Sequence, residues 1–302
     1  VVPGGYAWWY VDGLSDDGRH AFTLIAFVGS VFSPYYAFAR RKTGRADPDN
    51  HIAVNVVLYG AAGKRWAMTE RGRADLARDQ STLGIGKSRL TFDGTRLVID
   101  VDEVTSPWPS RIRGRITVHP SAIGSVHYPL DSAGRHHWRP ITPVARIEVA
   151  LEKPGLSWSG SGYCDFNQGD EPLERGFTTW DWSRSSVPGE TTVYYDVNRR
   201  DGTKHSLSLA LDAAGGVRAV EPPPRHRLPG TGWRIGRGTR SVSAPAVADT
   251  LEDTPFYTRS LVKLETAAGP TVAMHESLSL DRFASNWVQI LLPFRMPRRT
   301  RA

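Results

Sequence analysis

Residues 157–182 read SWSGSGYCDFNQGDEPLERGFTTWDW: three tryptophans, a tyrosine, the lone cysteine and five acidic residues in a segment too rich in glycine for a helix. At its centre Gly162-Tyr163-Cys164-Asp165 reads as a strand. Successive side chains of a strand alternate faces, so Tyr163 and Asp165 look into one space and Cys164 looks away from it. Cys164 is therefore expected to be a small buried apolar residue and not a catalytic thiol.

The chain on the N-terminal side of this stretch keeps the same period. GGYAWWYVDGLSDDG (4–18) ends in the turn signal Asp16-Asp17-Gly18, and the apolar run Ala21–Phe32 beyond it completes a hairpin. His51–Gly60 is a strand with Ile52, Val54, Val56 and Leu58 on one face and Asn55 on the other, whereas RRKTGRADPDN (40–50) is expected to be a solvent loop. Trp66, Met68 and Glu70 share a face, and a carboxylate there is expected to pair with an arginine. Short strands follow at Arg96–Val101, Arg113–Val118 and Arg146–Glu152.

On the C-terminal side the pattern restarts with Thr191–Val197 and His205–Leu211. After the break EPPPRHRLPG (221–230) come Arg259–Thr266, Thr271–Met274 and His275–Leu280. Short strands with turn signals and no long helical period predict an all-β protein of two antiparallel barrel or sandwich domains. We place these at 1–165 and 166–302, with the boundary inside 152–187, so that the opening stretch joins them.

Ten tryptophans, ten tyrosines and ten phenylalanines beside three methionines fit a large apolar cavity, although an ordinary β core uses aromatics too. The single cysteine excludes an internal disulfide. No apolar run approaches the roughly 18 residues of a membrane helix, and no secretory signal is read at the start, so a cytoplasmic location is expected. The net charge of +7 comes from dispersed basic residues, clustered only at Arg40-Arg41-Lys42 and in the tail at Arg295, Arg298, Arg299 and Arg301. No nucleic-acid-binding motif accompanies them, and no nucleic-acid partner is expected.

Two phosphate-loop patterns fail. Gly86-Lys87-Ser88 has Ser81 where the first glycine belongs, and Gly236-x-Gly238 reaches Ser241 at its sixth position, so both read as turns. Ser161 between Gly160 and Gly162 is not a nucleophile elbow. In Gly134-Arg135-His136-His137-Trp138-Arg139, an extended chain places His136 and Trp138 on one face, and this pair can meet Tyr163 and Asp165 in one cavity. Histidines on a surface loop, or a zinc site drawn from His119, His127, His136 and His137, are the alternatives, but no spacing matches a known zinc pattern and no metal is expected. An acid and a base in an aromatic cavity remain as the chemistry.

Several long segments resemble the carotenoid 1,2-hydratases, or hydroxyneurosporene synthases, of phototrophic bacteria. They are GGYAWWYVDGLSDDGRHAFTLIAFVGSVFSPYYAFAR, NHIAVNVVLYG with RWAMTERGR, RHHWRP, GYCDFNQGDEPLERGFTTWDWSR and WVQILLPF. The resemblance implies two lipocalin-like domains and a cofactor-independent enzyme that adds water to the terminal double bond of an acyclic carotene. The family's catalytic histidine, tryptophan, tyrosine and aspartate fall on His136, Trp138, Tyr163 and Asp165.

Such a reaction protonates C2, leaving a tertiary cation at C1 for water to capture. Burial among aromatics would keep Asp165 protonated for this purpose, the ring faces of Trp138 and Tyr163 would each stabilise the cation by roughly 0.5–2 kcal/mol, and His136 would take the water's proton, or the two would exchange roles, since the reaction demands only one acid and one base. Trp287–Phe294 with the tail arginines would suit peripheral contact with the inner or photosynthetic membrane, or else form a final strand. A carrier of a long apolar ligand, or a pericyclase or cyclase on the same scaffold, would account for the same aromatics.

Overall fold

The turn at Asp16-Asp17-Gly18 joins β1 (Tyr6–Ser15) to β2 (His20–Val28) in register, Ala7 opposite Val28 and Leu14 opposite Ala21. Gly18 sits at φ 68°, a left-handed conformation that favours glycine. The computed structural model describes residues 1–61 and 63–300, so Arg301 of the basic tail lies outside them. The chain forms two units. The first holds Val1–Pro129, Gly134–Pro172 and the chain from Ile290, and the second Leu130–Ala133 and Leu173–Gln289.

In the first unit the hairpin is followed by α1 (Pro34–Thr43), β3 (Ile52–Gly60), β4 (Arg65–Arg71), β5 (Leu76–Arg78), β6 (Thr82–Ile85), β7 (Ser88–Phe92), β8 (Leu97–Val104), β9 (Arg111–Pro120), β10 (Tyr128–Pro129), β11 (His136–Lys153) and β12 (Leu156–Gly169). They build one curled antiparallel sheet in the order β4-β3-β2-β1-β12-β11-β9-β8-β7-β6-β5, with β10 on β11. Its core face carries Val11, Phe22, Leu24, Val54, Val56, Ile116, Ile147 and Cys164. Each such large apolar side chain contributes about 1.5–3 kcal/mol by leaving water.

Long β11 is what lets one strand serve both the core and the site. Its even-numbered His136, Trp138 and Pro140 lie opposite Gly169, Asn167 and Asp165 of β12. Two bulges, between Pro140 and Thr142 and between Thr142 and Ala145, cancel, so the odd-numbered Ile147, Val149 and Leu151 still reach the core. The histidines at 136 and 137 thus stand in a strand and not on a surface loop.

The polar stretch after Phe32 departs from expectation. Ser33 caps α1 by accepting from the Tyr36 amide at 3.0 Å, Pro34 opens its first turn, and Gly44 ends it at φ 70°. Arg40, expected in solvent, is buried with its guanidinium 4.4 Å from the centre of the Tyr36 ring. Glu70 does find its arginine, but across the chain. Arg298 and His51 both meet its carboxylate, and Glu70 bridges the backbone of Arg298.

The second unit begins with α2 (Leu173–Gly176). It continues through β13 (Phe177–Val187), β14 (Glu190–Arg199), β15 (Lys204–Asp212), β16 (Val217–Ala219), β17 (Arg225–Arg227), β18 (Gly238–Arg240), β19 (Ala246–Asp253), β20 (Tyr257–Thr266), β21 (Gly269–Ser279) and α3 (Leu280–Ala284). Seven strands form a second antiparallel sheet in the order β16-β15-β14-β13-β21-β20-β19, and β17 pairs with β18. Two expected strands, Thr271–Met274 and His275–Leu280, are the single β21. A division at residue 165 would cut β12, which stays bonded to β1 as far as Gly169, and the units part after Pro172. The run WVQILLPF is neither strand nor loop but part of α4 (Asn286–Arg295), with Pro293 in its last turn.

Candidate active site

Tyr163 and Asp165 point the same way from β12, and the Tyr163 hydroxyl donates to Asp165 Oδ2 at 2.9 Å. From β11 the Trp138 indole N–H donates to the same oxygen at 2.8 Å. Two donors on Oδ2 direct any proton that the carboxyl carries to Oδ1. Trp138, Tyr163 and His136 are fully buried and Asp165 is 4% exposed, so water barely screens these bonds. Cys164 faces the apolar core behind them, where burial pushes its thiol well above its ordinary range.

His136 occupies the next stretch of the same face. Its Nδ1 lies 2.8 Å from the Tyr6 hydroxyl, and its Nε2 faces Oε1 of Glu171 at 3.4 Å. In the tautomer that carries its proton on Nε2, Nδ1 accepts from the Tyr6 hydroxyl. Arg135 holds the other Glu171 oxygen at 3.0 Å. Of the two ring nitrogens, Nε2 stands near the Glu171 carboxylate without hydrogen-bond geometry, and Nδ1 is hydrogen-bonded to Tyr6. Gly169 makes this approach possible, because a Cβ there would stand 2.5 Å from Tyr6 Cε1 and 2.7 Å from His136 Nδ1.

All four residues singled out from the sequence therefore share one sheet face, while the other histidines do not join them. The rings of His127 and His137 lie 6.5 Å apart, and His119 meets Glu148 at 3.5 Å. Among the described residues no three His, Cys, Asp or Glu side chains are grouped to hold a metal ion. A cavity of about 420 Å³, lined by Trp9, Leu83, Leu90, Val118, Ile141 and Cys164, lies on the core face of β12, the side away from Asp165.

The sequence reading placed the β1 strand but missed its side chains in the site. Tyr6, Trp8, Tyr10 and Asp12 line the site beside β12, and the Tyr10 hydroxyl donates to Asp12 Oδ2 at 2.8 Å. The available signal was Tyr10-Val11-Asp12, the same spacing as Tyr163-Cys164-Asp165. Glu171 had no comparable local signal.

A family model described as carotenoid hydratase CrtC matches residues 24–302. The chain belongs to this carotenoid hydratase family. CrtC relatives named acyclic carotenoid 1,2-hydratase come from Thiocapsa roseopersicina, 59% identical over 99% of this chain and 74% of the relative, and from Rubrivivax gelatinosus, 51% identical over 99% and 75%. Solved structures share the fold at low identity. One described as AttH from Nitrosomonas europaea superposes with a TM-score of 0.64 at 14% identity, covering 91% of this chain and 92% of that one. CghA with Sch210972 gives 0.56 at 11%, covering 92% and 89%. These likenesses are of fold alone, and the fold is lipocalin-like.

Proposed function

We propose that the protein is an acyclic carotenoid 1,2-hydratase, adding water across the terminal C1–C2 double bond of substrates such as neurosporene or lycopene to give a tertiary alcohol. The observation that carries this reading is the convergence of Trp138 and Tyr163 on one oxygen of a buried carboxyl. That arrangement fixes the orientation of the Asp165 carboxyl among rings and directs any proton it carries to Oδ1, the positioning that protonation of an unactivated alkene requires. Asp165 delivers its proton to C2, and the cation at C1 forms beside the rings of Trp138 and Tyr163, which attract it but not the neutral alkene. His136, held by Tyr6, positions this end of the site.

The substrate reaches the protein from a bilayer, and we assign peripheral contact at the cytoplasmic side to α4 and its neighbourhood. No helix among the described residues is long and apolar enough to cross a membrane. Ile290 and Phe294 are each 69% exposed, and Trp108, whose loop donates from Ser106 Oγ to the Phe294 carbonyl at 2.9 Å, is 84% exposed. The tail arginines contribute less than their number implies, since Arg298 is bound to Glu70 and Arg295 lies over Trp66.

Purified protein given lycopene in detergent is expected to yield the 1-hydroxy product, with deuterium at C2 when the solvent is deuterated water. Asp165→Asn is expected to abolish turnover while the far-ultraviolet circular dichroism stays unchanged. Stoichiometric binding without product would make the protein a carrier, and a rearranged product without deuterium at C2 would make it a cyclase.

A further inference from the structure

The two Tyr-x-Asp segments lie side by side in opposite directions. Tyr10 of β1 is opposite Asp165 of β12, and Asp12 is opposite Tyr163. In each strand the tyrosine hydroxyl donates to the aspartate two residues on, at 2.8 and 2.9 Å, and the two tyrosine rings meet edge to face with centroids 6.2 Å apart. The four side chains form a local two-fold pattern on one face, with Asp12 0% and Asp165 4% exposed. Strand geometry sets diagonal neighbours of this kind about 7–8 Å apart. An acid and a base that flank a reacting centre with a water between them, as in inverting glycosidases, have carboxyl groups roughly 6.5–9.5 Å apart, a span within reach of side chains on such diagonal positions.

We propose that Asp12 is the second catalytic carboxyl, the base that takes a proton from water as its oxygen bonds to C1. The inference rests on Asp165 being the acid. Asp165 gives its proton to C2 as the C1–C2 π bond breaks, and water then forms the C1–O bond and loses one proton to the Asp12 carboxylate. The pair holds one proton before the alkene is protonated, none while the cation at C1 exists, and one again after water is captured. The proton sits on Asp165 at the start and on Asp12 at the end, and its return to Asp165 closes the cycle. Tyr10 steadies Asp12 as Tyr163 steadies Asp165. Asp12 takes the role first expected of His136, because it lies on the diagonal from Asp165 across the strand pair, whereas His136 stands opposite Gly169, further along β12, with Nδ1 bonded to Tyr6.

The test separates the two halves of the reaction in deuterated water, following deuterium at C2 of recovered lycopene and formation of the alcohol. Asp12→Asn keeps an acceptor for Tyr10. It is expected to preserve deuterium exchange into the alkene while lowering alcohol formation by about 10²–10⁴-fold, the usual worth of a general base. Tyr10→Phe, which leaves the carboxyl in place, is expected to lower hydration by roughly tenfold with exchange retained, and it carries the test if Asp12→Asn does not fold. Hydration within about twofold of the unsubstituted protein in either folded variant, or loss of exchange together with hydration, overturns the assignment of Asp12. Asp165→Asn is expected to lose both signals, and if it keeps both, the acid assignment fails separately.

Discussion

A methyl group at Gly169 tests the site with the smallest possible change. The position has no need of a left-handed backbone. What it needs is space, since the added carbon would overlap both partners of the Tyr6–His136 hydrogen bond. Gly169→Ala is expected to force Tyr6 and His136 apart and to lower kcat by about 10–100-fold, the scale of a displacement near 1 Å in a catalytic array. Turnover measured beside thermal melting checks this, and an unchanged kcat would mean that the contact is not used. Residues of one strand were the legible part of this site, because period-two alternation alone places Tyr163 with Asp165. Tyr6 was not legible, for it meets His136 across 130 positions of sequence.

Elements were legible where the alternation was strong and the turn explicit, as in β1, β2 and β3. They were lost where a local signal had two meanings. Ser33-Pro34 reads as a loop until its capping geometry is seen, and the apolar run in α4 satisfies strand and helix periods alike. Short β5, β6 and β7 carry too few residues to show a period at all. One strand also carries a titration. His275 of β21 is fully buried, with Nε2–H donating to the Gly238 carbonyl at 2.8 Å. Burial depresses its pKa below the ordinary value near 6.5, and Arg237 adds to this, while Asp181, the Gly238 bond and Glu276 oppose it. A depressed folded-state value means that the unfolded chain binds the proton more readily. The contribution of His275 to stability is therefore present above pH ~6.5 and lost as pH falls towards the folded-state value. The melting temperature is expected to drop between pH 7.5 and 5.5, and His275→Gln, which keeps a donor, is expected to flatten that slope. An equal slope in both proteins would remove the histidine from the account.

At the scale of the whole molecule, Trp108, Ile290 and Phe294 are exposed apolar side chains, and the proposed membrane contact rests on them. Burying one such side chain in lipid is worth about 1.5–3 kcal/mol, so Trp108→Ser with Phe294→Ser is expected to weaken vesicle binding at least tenfold. Because Glu70 and Trp66 already occupy Arg298 and Arg295, anionic vesicles are expected to bind only modestly better than zwitterionic ones. Cosedimentation with both vesicle types measures each claim, and strong dependence on anionic lipid would shift the weight back to charge. The placement of Cys164 has a further use. The chain's only sulfhydryl stands between Tyr163 and Asp165 in sequence but with its back to them, at the wall of the cavity on the core face. The rate at which a maleimide labels it is therefore a built-in measure of access to that cavity, read from directly behind the strand face that carries Asp165.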